Sequence, residues 1–184
     1  EGSGEVLKVN DKDIGLCQIL QERGFEKKNR CACVLSLNLS NSLEYDMPDA
    51  YRMSPHGFAA DTRQYQFVIH NGFNNEGVPE KWDDGLLKRV PNVNEDLKTF
   101  VIANNEYCGH CGLWYTTGDT AYVEPVVTVP EHRKRGLAKA VVYEACVRAK
   151  ALGAKYAVVV SEQKFYFRIG FTLSSEVYDW MRKD

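Results

Sequence analysis

Apolar positions along the chain fall into two rhythms. Ala138, Val141, Val142, Ala145, Ala149 and Leu152 repeat at three- and four-residue intervals, which lays them on one helix face that opens after Gly136 and stops at Gly153. Tyr65, Val68, Ile69 and Phe73 form a shorter helical stripe after Asp61. Pro79 is placed to open another helix carrying Trp82, Leu86 and Val90 before Pro91 ends it. Asp13 is a cap for a short helix with Ile14, Cys17, Ile19 and Leu20, ended by Gly24, and a helical turn over 163–168 leads to Gly170. The second rhythm is that of strands: Cys31 to Ser40, Ala50 to Ser54, Lys98 to Ala103, Cys111 to Thr116, Ala121 to Val129, Tyr156 to Val160 and Val177 to Arg182.

The order of these elements predicts an α/β (α+β) fold. The runs Cys111 to Thr116 and Ala121 to Val129 flank a turn at Thr117, Gly118 and Asp119, which makes an antiparallel meander. The continuous apolar run Tyr156 to Val160 follows a long helix, so it returns parallel to Ala121 to Val129. The expected architecture is a mixed sheet flanked by helices. Ser42 to Pro48 reads as a joint, dividing the chain into an N-terminal extension, residues 1–46, and a main domain, residues 47–184.

Composition narrows the classes. The 184 residues are 44% hydrophobic and 26% charged, enough for a globular core. A net charge of −2 lacks the broad positive field that draws nucleic acid or anionic membranes, so neither is an expected partner. No apolar run approaches the roughly 20 residues of a membrane span, and the expected location is the cytoplasm. Six cysteines, at 17, 31, 33, 108, 111 and 146, are too sparse for a disulfide scaffold and read as reduced thiols. The first methionine is Met47, so Glu1 is not expected to be a translation start.

One segment carries recognisable chemistry. Val127 to Lys139, VTVPEHRKRGLAK, sets a strand, a basic turn, a glycine and a helix start in succession. Such a turn points backbone N–H groups outward at the positive end of a helix, which suits a pyrophosphate. Gly136 permits close approach, Ala138 keeps the next position small, and Arg133, Lys134 and Arg135 can add charge-assisted hydrogen bonds.

Arg133-x-x-Gly136-x-Ala138, followed one strand later by Tyr166-x-x-x-Gly170-Phe171, resembles the GNAT N-acetyltransferases. The likeness covers about residues 50 to 184, with its motifs in 121–171. It implies a strongly twisted sheet whose fourth and fifth strands are parallel and splay apart to admit the pantetheine arm of acetyl-CoA. It implies backbone contacts to pantetheine at Val127 and Val129. Pyrophosphate would sit on the N–H groups of Lys134, Arg135, Gly136, Leu137 and Ala138, with the Arg133 side chain. Lys139, Lys164 and Arg168 are further candidates for the outer phosphate. Many members carry an asparagine after the fifth strand, whereas Ser161, Glu162 and Gln163 stand there in this chain.

The implied reaction is transfer of an acetyl group from acetyl-CoA to a primary amine, with no metal and no acyl-enzyme. An alkyl amine with a pKa near 10.4 is mostly protonated at neutral pH, so a base or desolvation must free its lone pair. Glu124 is the base candidate, on the face that period-two alternation assigns to Tyr122, Val126 and Thr128; a surface glutamate is the other reading. Val127 N–H is the oxyanion donor, and Tyr166 is either the acid that protonates the CoA thiolate or a packed aromatic between Phe165 and Phe167. A non-catalytic acyl-CoA-binding module is the alternative function. Glu76, Glu80, Asp83, Asp84, Glu95 and Asp96 form either an acidic rim suited to a cationic amine or a solvated face.

Two further features stand apart from these motifs. Cys108-Gly-His-Cys111 has redox-pair spacing but no following helix or second ligand pair, so it reads as a thiol-bearing turn between strands. Ile19 to Phe25, with Leu20 at the tyrosine position, resembles the later motif, as the tail of a degenerate second domain.

Overall fold

The computed structural model of the chain describes residues 6–81 and 93–182. Its elements run β1 (Val6–Asn10), α1 (Ile14–Glu22), β2 (Phe25–Asn38), β3 (Arg52–Met53), α2 (Thr62–Gly72), β4 (Lys98–Ala103), β5 (Glu106–Trp114), β6 (Thr120–Thr128), α3 (Leu137–Ala151), β7 (Tyr156–Val160), α4 (Lys164–Arg168) and β8 (Thr172–Arg182). By contact the chain forms two units, Glu1–Leu37 with Val158–Asp184, and Asn38–Ala157; the division falls inside β7.

In the second unit the strand order is β7-β6-β5-β4-β3. The pairs β3–β4, β4–β5 and β5–β6 are antiparallel, while β6 reaches β7 through α3, the crossover that parallel neighbours require. The fold class is therefore a mixed α/β sheet with flanking helices. Asp61 caps α2 by accepting from Gln64 N, and Tyr65 and Val68 of that helix pack with Phe100, Ile102, Tyr107 and Val127. The other face of the same strands meets α3, where Thr99 Oγ1 donates to Val141 O at 2.8 Å.

In the first unit the order is β1-β8-β2-β7, with β8 antiparallel to both β1 and β2. Its two strand–helix–strand segments repeat one another. In α1 the N–H of Arg23 donates to Ile19 O and Leu20 O, and Gly24 follows with φ +79°. In α4 the N–H of Ile169 donates to Phe165 O and Tyr166 O, and Gly170 follows with φ +86°. Leu20 and Tyr166 thus hold the same place in two copies of one cap.

Several boundaries differ from the sequence pattern. Cys108 to Cys111 are strand residues, not a turn, because the reversal is made by Asn104 (φ +49°) and Asn105 (φ +64°), which bring Ala103 opposite Glu106. Asparagine tolerates the left-handed region that a two-residue hairpin needs. β2 starts at Phe25 and β8 at Thr172, earlier than Cys31 and Val177; Ala50 to Ser54 shrinks to Arg52–Met53. Leu152 and Phe73 are exposed, whereas Arg148 is buried. The expected helix after Pro79 falls largely in 82–92, outside the described residues. The 46/47 boundary lies within the second unit, whose residues 38–46 include Tyr45, hydrogen-bonded to Glu144 of α3.

His110 stands at the centre of the core, fully buried, stacked on Phe100 at 4.5 Å and edge-on to Tyr65 at 4.7 Å. Its Nδ1 donates to Thr99 O at 3.0 Å, and burial pushes its pKa down to about 3, so the folded protein holds it neutral. The unfolded chain binds the extra proton as pH falls below about 6.5. Stability is then full above that value and declines toward pH 3, by at most about 1.4 kcal/mol per pH unit. Urea unfolding from pH 7 to 4.5 is expected to show this slope and to lose it in His110→Gln.

Candidate cofactor and active site

β6 carries one residue more than β5 can pair. Cys111 faces Val126 and Leu113 faces Val123, which leaves Gly112 opposite both Glu124 and the cis-linked Pro125. A Cβ at Gly112 would lie 2.7 Å from Glu124 O and 3.0 Å from Pro125 Cδ, so only glycine fits.

The bulge corrects the alternation expected from sequence. Tyr122 pairs with Trp114 and Val127 with His110, on the α2 face, whereas Val126 pairs with Cys111, which feels Cys146 of α3. Glu124 lines a small recess with Tyr65, Lys98 and Trp114, so it shares its face with Tyr122 and Val127, not with Val126 and Thr128. Glu124 is exposed, and Trp114 Nε1 donates to its main-chain oxygen at 2.9 Å. Burial pushes the pKa of Lys98 down, and Glu95 acts against this.

The ladder also sets which way the main chain of β6 points. Val129 N–H donates to Cys108 O at 2.9 Å, and Val129 O accepts from His132 N. The next narrow pair along an antiparallel ladder is then Val127 with His110, so both main-chain polar groups of Val127 point at β5. The groups directed away from β5 belong to Val126 and Thr128. Val127 lies in β6 and Val129 just beyond its end.

Beyond β6 the chain makes a 3₁₀ turn, Pro130–His132, and then two left-handed residues, Lys134 at φ +61° and Gly136 at φ +80°, before α3. Gly136 is the helix N-cap, and no side chain caps the N–H groups that follow. Lys134 and Arg135 are exposed, Leu137 is buried and Ala138 is half-buried. This is an uncapped helix end at the positive pole, beside a concave run of amides.

Arg133 does something other than the sequence suggested. Its Nε donates to Thr128 O at 2.9 Å, and one terminal nitrogen donates to Gly72 O at 2.8 Å and Asn74 Oδ1 at 3.0 Å. The guanidinium closes the C-terminal end of α2 onto β6, where a cation meets the open carbonyls of a helix. The same junction needs Gly72, since a Cβ there would lie 2.5 Å from Val127 Cβ.

Tyr166 belongs to the other unit. It is 7% exposed, with its ring edge-on to Phe165 at 5.0 Å and to Phe171 at 5.4 Å. In that unit Glu162, at the corner after β7, pairs with Arg30 at 3.1 Å and accepts from Cys33 Sγ.

Cys108 and Cys111 are both buried in β5, and burial pushes both thiols up, which disfavours the thiolate form. Among the described residues no group of His, Cys, Asp and Glu is disposed to hold a metal, and no helix is long and apolar enough to cross a membrane. Of the expected acidic rim, Asp96 is occupied, accepting from Gly57 N at 2.6 Å, and Asp83 and Asp84 lie outside the described residues.

Residues 62–171 match the sequence model of the acetyltransferase (GNAT) family. Among solved structures, a GCN5-related N-acetyltransferase from Sphaerobacter thermophilus aligns with a TM-score of 0.69 at 13% identity, covering 97% of this chain and 60% of that one. A tandem GNAT protein from the clavulanic acid biosynthesis pathway aligns at 0.62 and 12%, covering 95% and 62%. A GNAT family acetyltransferase from Brucella melitensis, solved with acetyl-CoA, aligns at 0.52 and 14%, covering 69% and 86%. At these identities the likeness is one of fold, and the chain spans about three fifths of the first two structures' length. No match is found among curated proteins.

Gly112→Ala is expected to lower stability by about 1–3 kcal/mol through overpacking against the bulge. Thermal unfolding of the two proteins checks it; an unchanged midpoint contradicts the reading of the bulge.

Proposed function

Because the chain belongs to the acetyltransferase (GNAT) family, we propose that it transfers the acetyl group of acetyl-CoA to a primary amine of a small molecule, peptide or protein. The observation that carries this reading is the uncapped N-terminus of α3 behind left-handed Lys134 and Gly136, a cradle of amides with Lys134 and Arg135 exposed beside it. The N–H groups of residues 134–138 would hold pyrophosphate. Pantetheine would run along the main-chain groups of Val126 and Thr128. The likeness to the Brucella structure, solved with acetyl-CoA, supports the choice of cofactor.

In the reaction Glu124 would take a proton from the bound ammonium, directly or through water, and the freed nitrogen attacks the thioester carbon. The oxyanion would accept from Val126 N–H, since Val127 N–H is turned to β5. The C–S bond then breaks, the thiolate takes the phenolic proton of Tyr166, and the phenolate regains the proton that the new amide nitrogen gives up. An amine carrying positive charge before it binds is the acceptor class that a glutamate base suits.

Residues 1–46 fit the tail of a second, degenerate GNAT domain. The repeat of the α4 cap in α1 supports this, with Leu20 standing where α4 has its tyrosine.

The deciding experiment is calorimetric titration with CoA followed by acetyl transfer to an amine panel. Wild type is expected to bind, and Gly136→Asp, which adds bulk and negative charge at the turn, to lose binding while folded. Equal affinity in the two proteins contradicts the cofactor site, and binding without transfer favours an acyl-CoA-binding module. Tyr166→Phe keeps the ring and its packing, so kcat is expected to fall about 10²-fold with CoA affinity unchanged. A kcat within twofold of wild type removes Tyr166 from the chemistry.

A further inference from the structure

Residues 43–51 form a strap on the second unit, with a turn at its end where Tyr51 N donates to Pro48 O at 2.9 Å. Leu43, Tyr45 and Met47 are half-buried, while Glu44, Asp46 and Pro48 between them are exposed, the alternation of a segment lying flat on a surface. Its two tyrosines pin it at separate points. Tyr45 Oη donates to Glu144 Oε2 at 2.7 Å, two turns into α3. Tyr51 Oη and His132 Nδ1 share a hydrogen bond of 2.9 Å, and the two rings meet edge-on at 5.7 Å.

The first pin is tied to the core. Glu144 accepts from Arg148 Nε at 2.8 Å, and the buried Arg148 guanidinium donates to Asp96 O at 3.1 Å and to Ser54 O. The second pin holds the 3₁₀ turn just before Arg133. The pins therefore bracket residues 133–138 from both sides. Between them, Asp46 O lies 3.8 Å from where a Cβ of Gly136 would be.

A turn with a left-handed lysine is strained, and its amides bind an anion only while they stay aligned. We propose that the strap holds this turn in its cofactor-binding shape, with Tyr45 and Tyr51 as positioning residues for CoA. The inference rests on the assignment of the turn as the pyrophosphate site. The strap closes the Gly136 side of the turn, leaving the cofactor to approach from the other side. It acts on binding and not on the chemical step, because the two tyrosines are bonded to Glu144 of α3 and to His132 before the turn, and not to Glu124.

The test compares wild type with Tyr45→Phe, Tyr51→Phe and the double variant, each keeping its ring. Calorimetric titration with CoA is expected to show affinity about fivefold weaker for each single variant. The KM for acetyl-CoA should rise in parallel, with kcat at saturation within twofold of wild type. Amide hydrogen exchange at residues 134–138 in the free protein should be at least tenfold faster in the double variant, a readout independent of activity. Wild type that fails to bind CoA contradicts the cofactor reading itself. Wild type that binds, with all variants binding within twofold and the 134–138 amides exchanging as before, overturns the strap's role even if thermal stability falls.

Discussion

The single extra residue in β6 governs what the site can be. Gly112 leaves room for Glu124 and Pro125 to share one position of the ladder, and from there the alternation of the strand is reversed. Without that reversal Val127 would face α3, and the close seat of Gly72 on Val127 would have no partner. With it, Glu124 and Val127 look toward α2, while the main-chain groups of Val126 and Thr128 are turned away from β5. The face on which Glu124 stands and the direction of the β6 main chain both follow from one misfit between two neighbouring strands.

The end of β6 is then held by side chains reaching in from elsewhere in the unit. Arg133 fastens Thr128 to the last carbonyls of α2, and Tyr51 grips His132. Between these anchors Lys134 and Gly136 turn left-handed, and the amides at the head of α3 are left without a side-chain cap. The residue that looks most like a phosphate ligand, Arg133, is thus engaged in building the turn. The binding surface proposed for the cofactor is made mainly of backbone, which constrains residue identity at Gly136 far more than at Lys134 or Arg135.

Much of this was readable in the sequence. Asp13, Asp61, Gly24, Gly136 and Gly170 marked helix ends correctly because capping and left-handed turns demand particular residue types. The strand–turn–helix at 121–139 was legible for the same reason. What escaped was set by pairing. The bulge is a property of two strands together, so the face of Glu124 and the direction of the valine amides could not follow from β6 alone. The buried His110 and Arg148 escaped because polar residue types suggest exposure, and of their partners Thr99, Asp96 and Ser54 are far off in the chain or across the sheet. The Asn104–Asn105 hairpin was within reach, since two asparagines in a row are a sign of left-handed backbone.

The account stands on the claim that an acyl-CoA lies along the outward-facing backbone of β6 and ends on the turn before α3. A crystal structure of the chain with CoA tests this most directly. The account predicts pyrophosphate oxygens within hydrogen-bond distance of the amides of residues 134–138, and pantetheine amides bonded to the main chain of Val126 and Thr128. Pantetheine bonded instead to Val127 and Val129, or a CoA seated away from Gly136, would contradict it.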